Sequence, residues 1–286
     1  MSDTCFIGFG EAGRAFARRG DRTFDIKTLD QAEAAAKRRE YVETGVEGRE
    51  SAEAALQDAS LIVSVVTADR ALAAARAAAP FVAPQAIWLD MNSVAPGTKR
   101  AAAAAIEARG GRYVDVAVMA PVLSARHAVP LLVSGPHRIA AIEALHTLGF
   151  ARVDDGGDRV GDASAVKMIR SVLVKGIEAL TAEAGLAAHR AGVADAVLAS
   201  LDASWSDQSW AARTDYNLER MMTHGSRRAA EMEEVAATLC ELGVAPTMTR
   251  AIAKRQRDLG ARGITAPAGL TAKLDALLPL RKDHDA

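Results

Sequence analysis

Cysteine is nearly absent: the chain of 286 residues has only Cys5 and Cys240, too few and too far apart for a disulfide framework or a clustered zinc site. Both read as buried thiols in a reducing cytoplasm. Neither sign of charge is in excess, with 35 Lys and Arg against 36 Asp and Glu. No broad field therefore draws nucleic acid or an acidic membrane, and an anionic ligand has to be caught locally. No charge-free apolar run reaches the roughly 20 residues of a membrane span, so no membrane segment is expected. Met1-Ser2-Asp3-Thr4 has no basic stretch leading into an apolar one, which argues against a signal peptide and for a cytoplasmic protein. Internal repeats are also missing. With 50% hydrophobic residues, a chain of this length suffices for two domains and a sizeable core.

The most informative segment present is Gly8-Phe9-Gly10-Glu11-Ala12-Gly13, which follows the apolar run Cys5-Phe6-Ile7 and opens a helical stretch over 12–19. Strand, glycine turn and helix together make a dinucleotide-binding fingerprint. The first glycine permits the tight turn, the second lets a pyrophosphate approach the backbone, and the third lets helix and strand pack closely. Residues 24–29 read as a second strand ending at Asp30, whose carboxylate is placed to accept hydrogen bonds from a ribose 2′-OH and to repel a 2′-phosphate. That favours NAD, with NADP as the alternative; Lys37, Arg38 and Arg39 read as a solvated helix face. Val66 and Thr67, at the end of a later apolar run, are also expected at the cofactor.

Apolar β-branched runs at 61–66, 87–90 and 113–118 alternate with alanine-rich helical stretches, the pattern of a parallel sheet covered by helices. A strand at 131–134, a helix at 138–148 and a strand at 150–153 complete an α/β, Rossmann-type doubly wound domain over 1–161. Strand signals then vanish. A long helix at 163–191 opens an all-helical domain over 162–286, with Gly243 and Pro246 punctuating two helices and a charged, frayed tail at 281–286. Ligand is expected at the carboxyl ends of the strands, in the cleft facing the helical half.

On the long helix, Lys167, Ser171, Lys175 and Glu178 share a polar face flanked by Arg170, and Val166, Ile169, Val172, Leu173 and Ile177 form a stripe expected to be buried. Asp90-Met91-Asn92-Ser93-Val94-Ala95-Pro96 lies at a strand end, where Asn92, Ser93 and the following N–H groups can hold a carboxylate or cap a helix. His224, Arg227 and Arg228 fall at helical spacing and suit either an anionic substrate or ion pairs with Glu231 and Glu234. Trp205 and Trp210 read as core or interface anchors.

In its glycine loop, its Asp90 to Pro96 segment and Gly161-Asp162-Ala163-Ser164-Ala165-Val166-Lys167, the chain resembles the β-hydroxyacid dehydrogenases, which include 3-hydroxyisobutyrate and 6-phosphogluconate dehydrogenases. The resemblance spans nearly the whole chain. It implies Lys167 as the catalytic acid/base, Ser93 and Val94 at the substrate carboxylate, and a small hydroxy acid as substrate. Arg170 and Ser171 depart from the family's asparagine-containing substrate motif, Met119-Ala120-Pro121 stands where the family has Ser-Gly-Gly, and Val174 stands where decarboxylating members have glutamate. A 6-phosphogluconate substrate is therefore not expected. The segment around His224 and Glu231 resembles a poorly characterised subgroup of 6-phosphogluconate dehydrogenase-like proteins. Alternatives to hydroxy-acid oxidation are imine reduction, against which the retained lysine speaks, and a nucleotide sensor without turnover. A homodimer through the helical domains is expected.

Overall fold

The computed structural model describes residues 3–204 and 209–278, and the chain divides into two units, Met1–Ile169 and Arg170–Ala286. Trp205 and the tail at 281–286 lie outside the described residues. In the first unit β1 (Thr4–Ile7), α1 (Glu11–Phe16), β2 (Arg22–Phe24), α2 (Ala34–Thr44), β3 (Glu47–Gly48), α3 (Ala52–Leu56), β4 (Leu61–Ser64), α4 (Ala71–Ala78), β5 (Ile87–Asp90), α5 (Pro96–Glu107), β6 (Arg112–Val118), α6 (Val122–Ala125), β7 (Leu131–Ser134), α7 (Arg138–Thr147) and β8 (Val153–Asp155) follow one another. They build one sheet of order β3-β2-β1-β4-β5-β6-β7-β8. The order reverses between β1 and β4, so the carboxyl ends of those strands open the crevice where such sheets bind ligands.

Strand pleating sorts the core onto two faces. Phe6, Val63, Leu89 and Val114 lie in one row and pack with Phe16, Leu145 and Phe150, while Cys5, Ile62, Trp88 and Tyr113 face the other side with Ala75, Ala102 and Ile106. Small alanines let α4 and α5 approach the sheet closely. Burial pushes the Cys5 thiol up to about 12, which makes it inert. Cys240 is exposed, contrary to expectation.

Three sequence expectations are corrected. The sheet is not wholly parallel, since β7 runs antiparallel to β6; an apolar run carries no signal of strand direction. Phe150 belongs to the core rather than to β8: its N–H closes the end of α7 on Leu145, and its ring packs edge-on against Phe16. Residues 24–29 do not extend as a strand, because after Phe24 the Asp25 side chain accepts from Lys27 N–H, and its carbonyl accepts from both the N–H and the hydroxyl of Thr28. This local hydrogen bonding curls Ile26–Leu29 into a 3₁₀ turn.

Helix α8 (Asp162–Ala191) begins in the first unit and continues into the second, which also holds α9 (Ala194–Ser204), α10 (Trp210–Glu241), α11 (Thr247–Gly260) and α12 (Leu270–Leu277). Helices α10 and α11 touch backbone to backbone at Gly225 and Gly260, where any side chain would overlap the facing helix. The expected sidedness of α8 is reversed. Ser171, Lys175, Glu178 and Thr181 are buried, whereas Leu173 and Leu180 are 71% and 61% exposed, with Ile169, Val166 and Ile177 also open. The reason is that α10 and α11 supply polar partners: Lys175 Nζ donates to Glu231 at 2.8 Å, Asn217 to Thr181 at 2.8 Å, Gln256 to Glu178 at 3.1 Å, and Arg228 also pairs with Glu178. Ile177 and Leu180 also border an open apolar cavity of about 230 Å³ lined by Leu198, Trp210, Leu270 and Leu274. No helix among the described residues is long and apolar enough to cross a membrane.

Candidate dinucleotide and proton-transfer site

The loop after β1 has the shape its glycines allow. Gly8 sits at φ +95°, and a Cβ there would lie 2.7 Å from the Val65 carbonyl and 2.8 Å from Val66 Cγ1, so only glycine lets β1 and the chain after β4 come together. A Cβ on Gly13 would lie 2.8 Å from the Gly8 carbonyl, whereas one on Gly10 would meet nothing within 4 Å. The open side of the loop is thus at Gly10, where a pyrophosphate must approach, and the start of α1 at Glu11 and Ala12 has no side-chain cap. These residues fit a dinucleotide. The Phe9 side chain is buried against Tyr41 and Val46, and only its backbone serves the loop.

That backbone is held from both sides. Phe9 N–H donates to Asp25 Oδ2 at 2.7 Å, and Lys37 Nζ donates to the Phe9 carbonyl at 2.8 Å and to Glu40 at 2.6 Å. Lys37 is therefore a buried clamp, not a solvated surface residue; Arg38 is the solvated one, paired with Glu50 at 2.6 Å. Asp25, not Asp30, follows the last residue of β2. Asp30 lies beyond the 3₁₀ turn, exposed, with its carboxylate accepting from Ala32 N–H at 2.8 Å. The sequence signal for Asp25 is an aspartate directly after an apolar triplet, masked by the alternation that continues to Leu29.

At the end of β5, Asn92 is consumed by the scaffold: Oδ1 accepts from Val66 N–H at 2.6 Å, while Nδ2 donates to Ser64 Oγ at 3.0 Å and Asp90 Oδ1 at 2.8 Å. It fixes β4 to β5 rather than offering an open group to a ligand. Val94 is buried, with its N–H on the Asn92 carbonyl. Thr67 is exposed at the start of the next 3₁₀ turn. Ser93 stays partly open, and Lys167 Nζ donates to its Oγ at 2.5 Å. The structure thus joins two residues 74 positions apart that the sequence reading had placed in one site.

Arg170, Ser171, His224 and Arg227 belong to the second unit. There Arg170 is exposed, Ser171 buried and His224 half-buried, and Arg227 pairs with Glu231 at 2.7 Å along α10. Arg228 turns inward to Glu178. The sequence reading missed Asp25, Lys99, Asp115 and Ser164, all buried and each bonded to a neighbouring element.

A doubly wound sheet with this glycine loop, on a chain that continues as a helical unit, defines a dinucleotide-binding protein. Residues 3–148 match the family described as the NAD binding domain of 6-phosphogluconate dehydrogenase, and the chain belongs to that family. Residues 188–259 match a domain of unknown function, DUF1932. Among solved structures, a conserved hypothetical protein from Sinorhizobium meliloti 1021 is 35% identical, with 96% of each chain covered and a TM-score of 0.72. The conserved protein MTH1747, described as structurally similar to 3-hydroxyacid dehydrogenases, is 30% identical over 91% of this chain and 99% of its own, with a TM-score of 0.67. Mycobacterium tuberculosis 3-hydroxyisobutyrate dehydrogenase with L-serine shares the fold at 16% identity, covering 96% of this chain and 98% of that one with a TM-score of 0.71.

Proposed function

We propose that the protein is an NAD-dependent dehydrogenase that oxidises the carbinol carbon of a small hydroxy acid, with Lys167 as the acid/base. The observation that carries this reading is the Lys167 to Ser93 hydrogen bond at the carboxyl edge of β5, on the sheet that bears the glycine loop. The bound nicotinamide supplies the hydride acceptor. Gly10, Glu11, Ala12 and Gly13 hold the pyrophosphate through backbone N–H groups, Gly8, whose own N–H goes to the Phe24 carbonyl at 2.9 Å, shapes the turn, and Val66 and Thr67 border the same crevice. Ser93 Oγ, already paired with the amine, aligns the substrate hydroxyl against Lys167 Nζ. In the oxidative direction the neutral amine takes the hydroxyl proton, and in the reductive direction the ammonium returns it.

Asp25 is the residue that favours NAD: its two oxygens are held by the Phe9 and Lys27 N–H groups, so it acts through its negative charge at the β2 end, which opposes a 2′-phosphate. Asp25→Ala is expected to weaken NADH binding about tenfold by releasing the Phe9 N–H that shapes the glycine loop, and to narrow the preference over NADPH, one lost charge-assisted hydrogen bond being worth about 1.5 kcal/mol or more. Asp30→Ala leaves both unchanged. Fluorescence titration with the two reduced cofactors checks this; tighter binding of NADPH than NADH by the wild type sinks the assignment.

The outward apolar stripe of α8 and the adjoining cavity support a homodimer formed through the helical unit, because exposed apolar surface of this extent marks an interface. Light scattering at micromolar concentration is expected to give twice the chain mass, and a mass of one chain refutes it.

A further inference from the structure

The register of β5 and β6 makes Asp90 and Asp115 direct neighbours on adjacent parallel strands, and both carboxylates are sealed from solvent. Like charges so placed repel strongly in a low-dielectric interior. Lys99, 0% exposed, reaches both from α5. Its Nζ lies 2.6 Å from the Asp90 carbonyl oxygen, 2.9 Å from Asp90 Oδ1 and 3.2 Å from Asp115 Oδ1, which occupies all three of its donors. A lysine near a helix start opposes the helix dipole, and lysine is rarely buried unless paired. Burial drives the amine toward neutrality, but the two carboxylates outweigh it and hold the pKa above the ordinary lysine value.

From each carboxylate a set of hydrogen bonds leads to the same place. Asp90 Oδ1 accepts from the Asn92 N–H at 3.0 Å and from its Nδ2 at 2.8 Å, fixing the residue before Ser93. Tyr113 holds the other oxygen at 2.7 Å. Asp115 accepts from the Ser164 N–H at 2.9 Å and from its hydroxyl at 2.6 Å, fixing the α8 turn that precedes Lys167. The two arms close where Lys167 meets Ser93.

We propose that Lys99 is a positioning residue for the Lys167–Ser93 pair, bridging the two carboxylates from which the Ser93 loop and the first turn of α8 are hung. The role rests on the reading of Lys167 as the acid/base. Sequence alone hides it, because Lys99 meets its partners only when two strands pair beneath it.

The test needs no substrate. Competitive acetylation of lysine amines with acetic anhydride, quantified at Lys167 by peptide mass spectrometry, reports how that amine is held in the full-length protein. Lys99→Met is expected to raise Lys167 labelling several-fold, because two neighbouring carboxylates then repel without a counter-charge. Ser164→Ala, a milder change, moves it in the same direction. Lys99→Met combined with Asp115→Asn returns it toward the wild-type value. Unchanged labelling in Lys99→Met and Ser164→Ala, with both folded and binding NADH normally, overturns the proposal. If Lys99→Met does not fold, Ser164→Ala and the double variant decide by the same criterion. Because the readout is independent of turnover, a labelling shift without hydroxy-acid oxidation keeps the positioning role and rejects the catalytic reading alone.

Discussion

Lys167→Met is expected to lower kcat for hydroxy-acid oxidation by about a hundred- to ten-thousandfold while NADH affinity stays at the wild-type value, the range lost when a positioned proton-transfer group is removed. Methionine keeps the length of the side chain and removes only the amine. The glycine loop and Asp25 are the groups proposed to serve the dinucleotide, whereas Lys167 donates to Ser93 at the end of β5. The pH dependence separates this from a general structural loss. Oxidation requires the neutral amine and rises with pH, reduction requires the ammonium and rises as pH falls, and both slopes flatten in the variant. Steady-state kinetics in both directions measure this; a variant retaining wild-type kcat and pH slopes removes Lys167 from the mechanism.

The second large effect concerns stability. Glu178→Ala is expected to destabilise the helical unit by about 3–5 kcal/mol, because it strands a buried guanidinium. Glu178 and Arg228 are both buried, and Gln256 donates to the same carboxylate oxygen, so one truncation leaves two donors without their acceptor. Pairing in a dry interior also makes the loss insensitive to salt. Glu178→Met with Arg228→Met should recover most of the stability, since replacing both partners by apolar groups removes the uncompensated charge. Urea denaturation followed by far-ultraviolet circular dichroism gives the values. A loss below about 1 kcal/mol, typical of a solvated pair, contradicts the buried network.

What could be read from the sequence was what local chemistry determines. Gly8 and Gly13 announce their loop because the steric need for each is set by the chain after β4 or by the loop's own backbone, while Gly10 marks the side left open. Lys167 and Ser93 were legible as candidates from a polar helix face and a strand end, their roles came from the resemblance, and the structure brings them into contact. The strand that was expected to end at Asp30 failed because its alternation is real but an Asp25 turn outcompetes the ladder. The polar face of α8 was not read as buried because its partners, Arg228, Glu231 and Gln256, lie 50 to 78 residues away and only packing reveals them. Asn92 was chosen for its position and is spent on the scaffold, while Lys99 was not singled out at all. Both errors have one physical origin: a polar side chain's role depends on whether its donors are already satisfied, which is decided by long-range pairing.

The most direct test of the account is isotope transfer. The protein is incubated with NAD and a panel of short-chain α- and β-hydroxy acids deuterated at the carbinol carbon, and the cofactor is recovered for mass spectrometry. The account predicts singly deuterated NADH from at least one acid with the wild type and a near-complete loss with Lys167→Met. Saturable NADH binding with no deuterium transferred from any of the acids, or transfer undiminished in Lys167→Met, contradicts it.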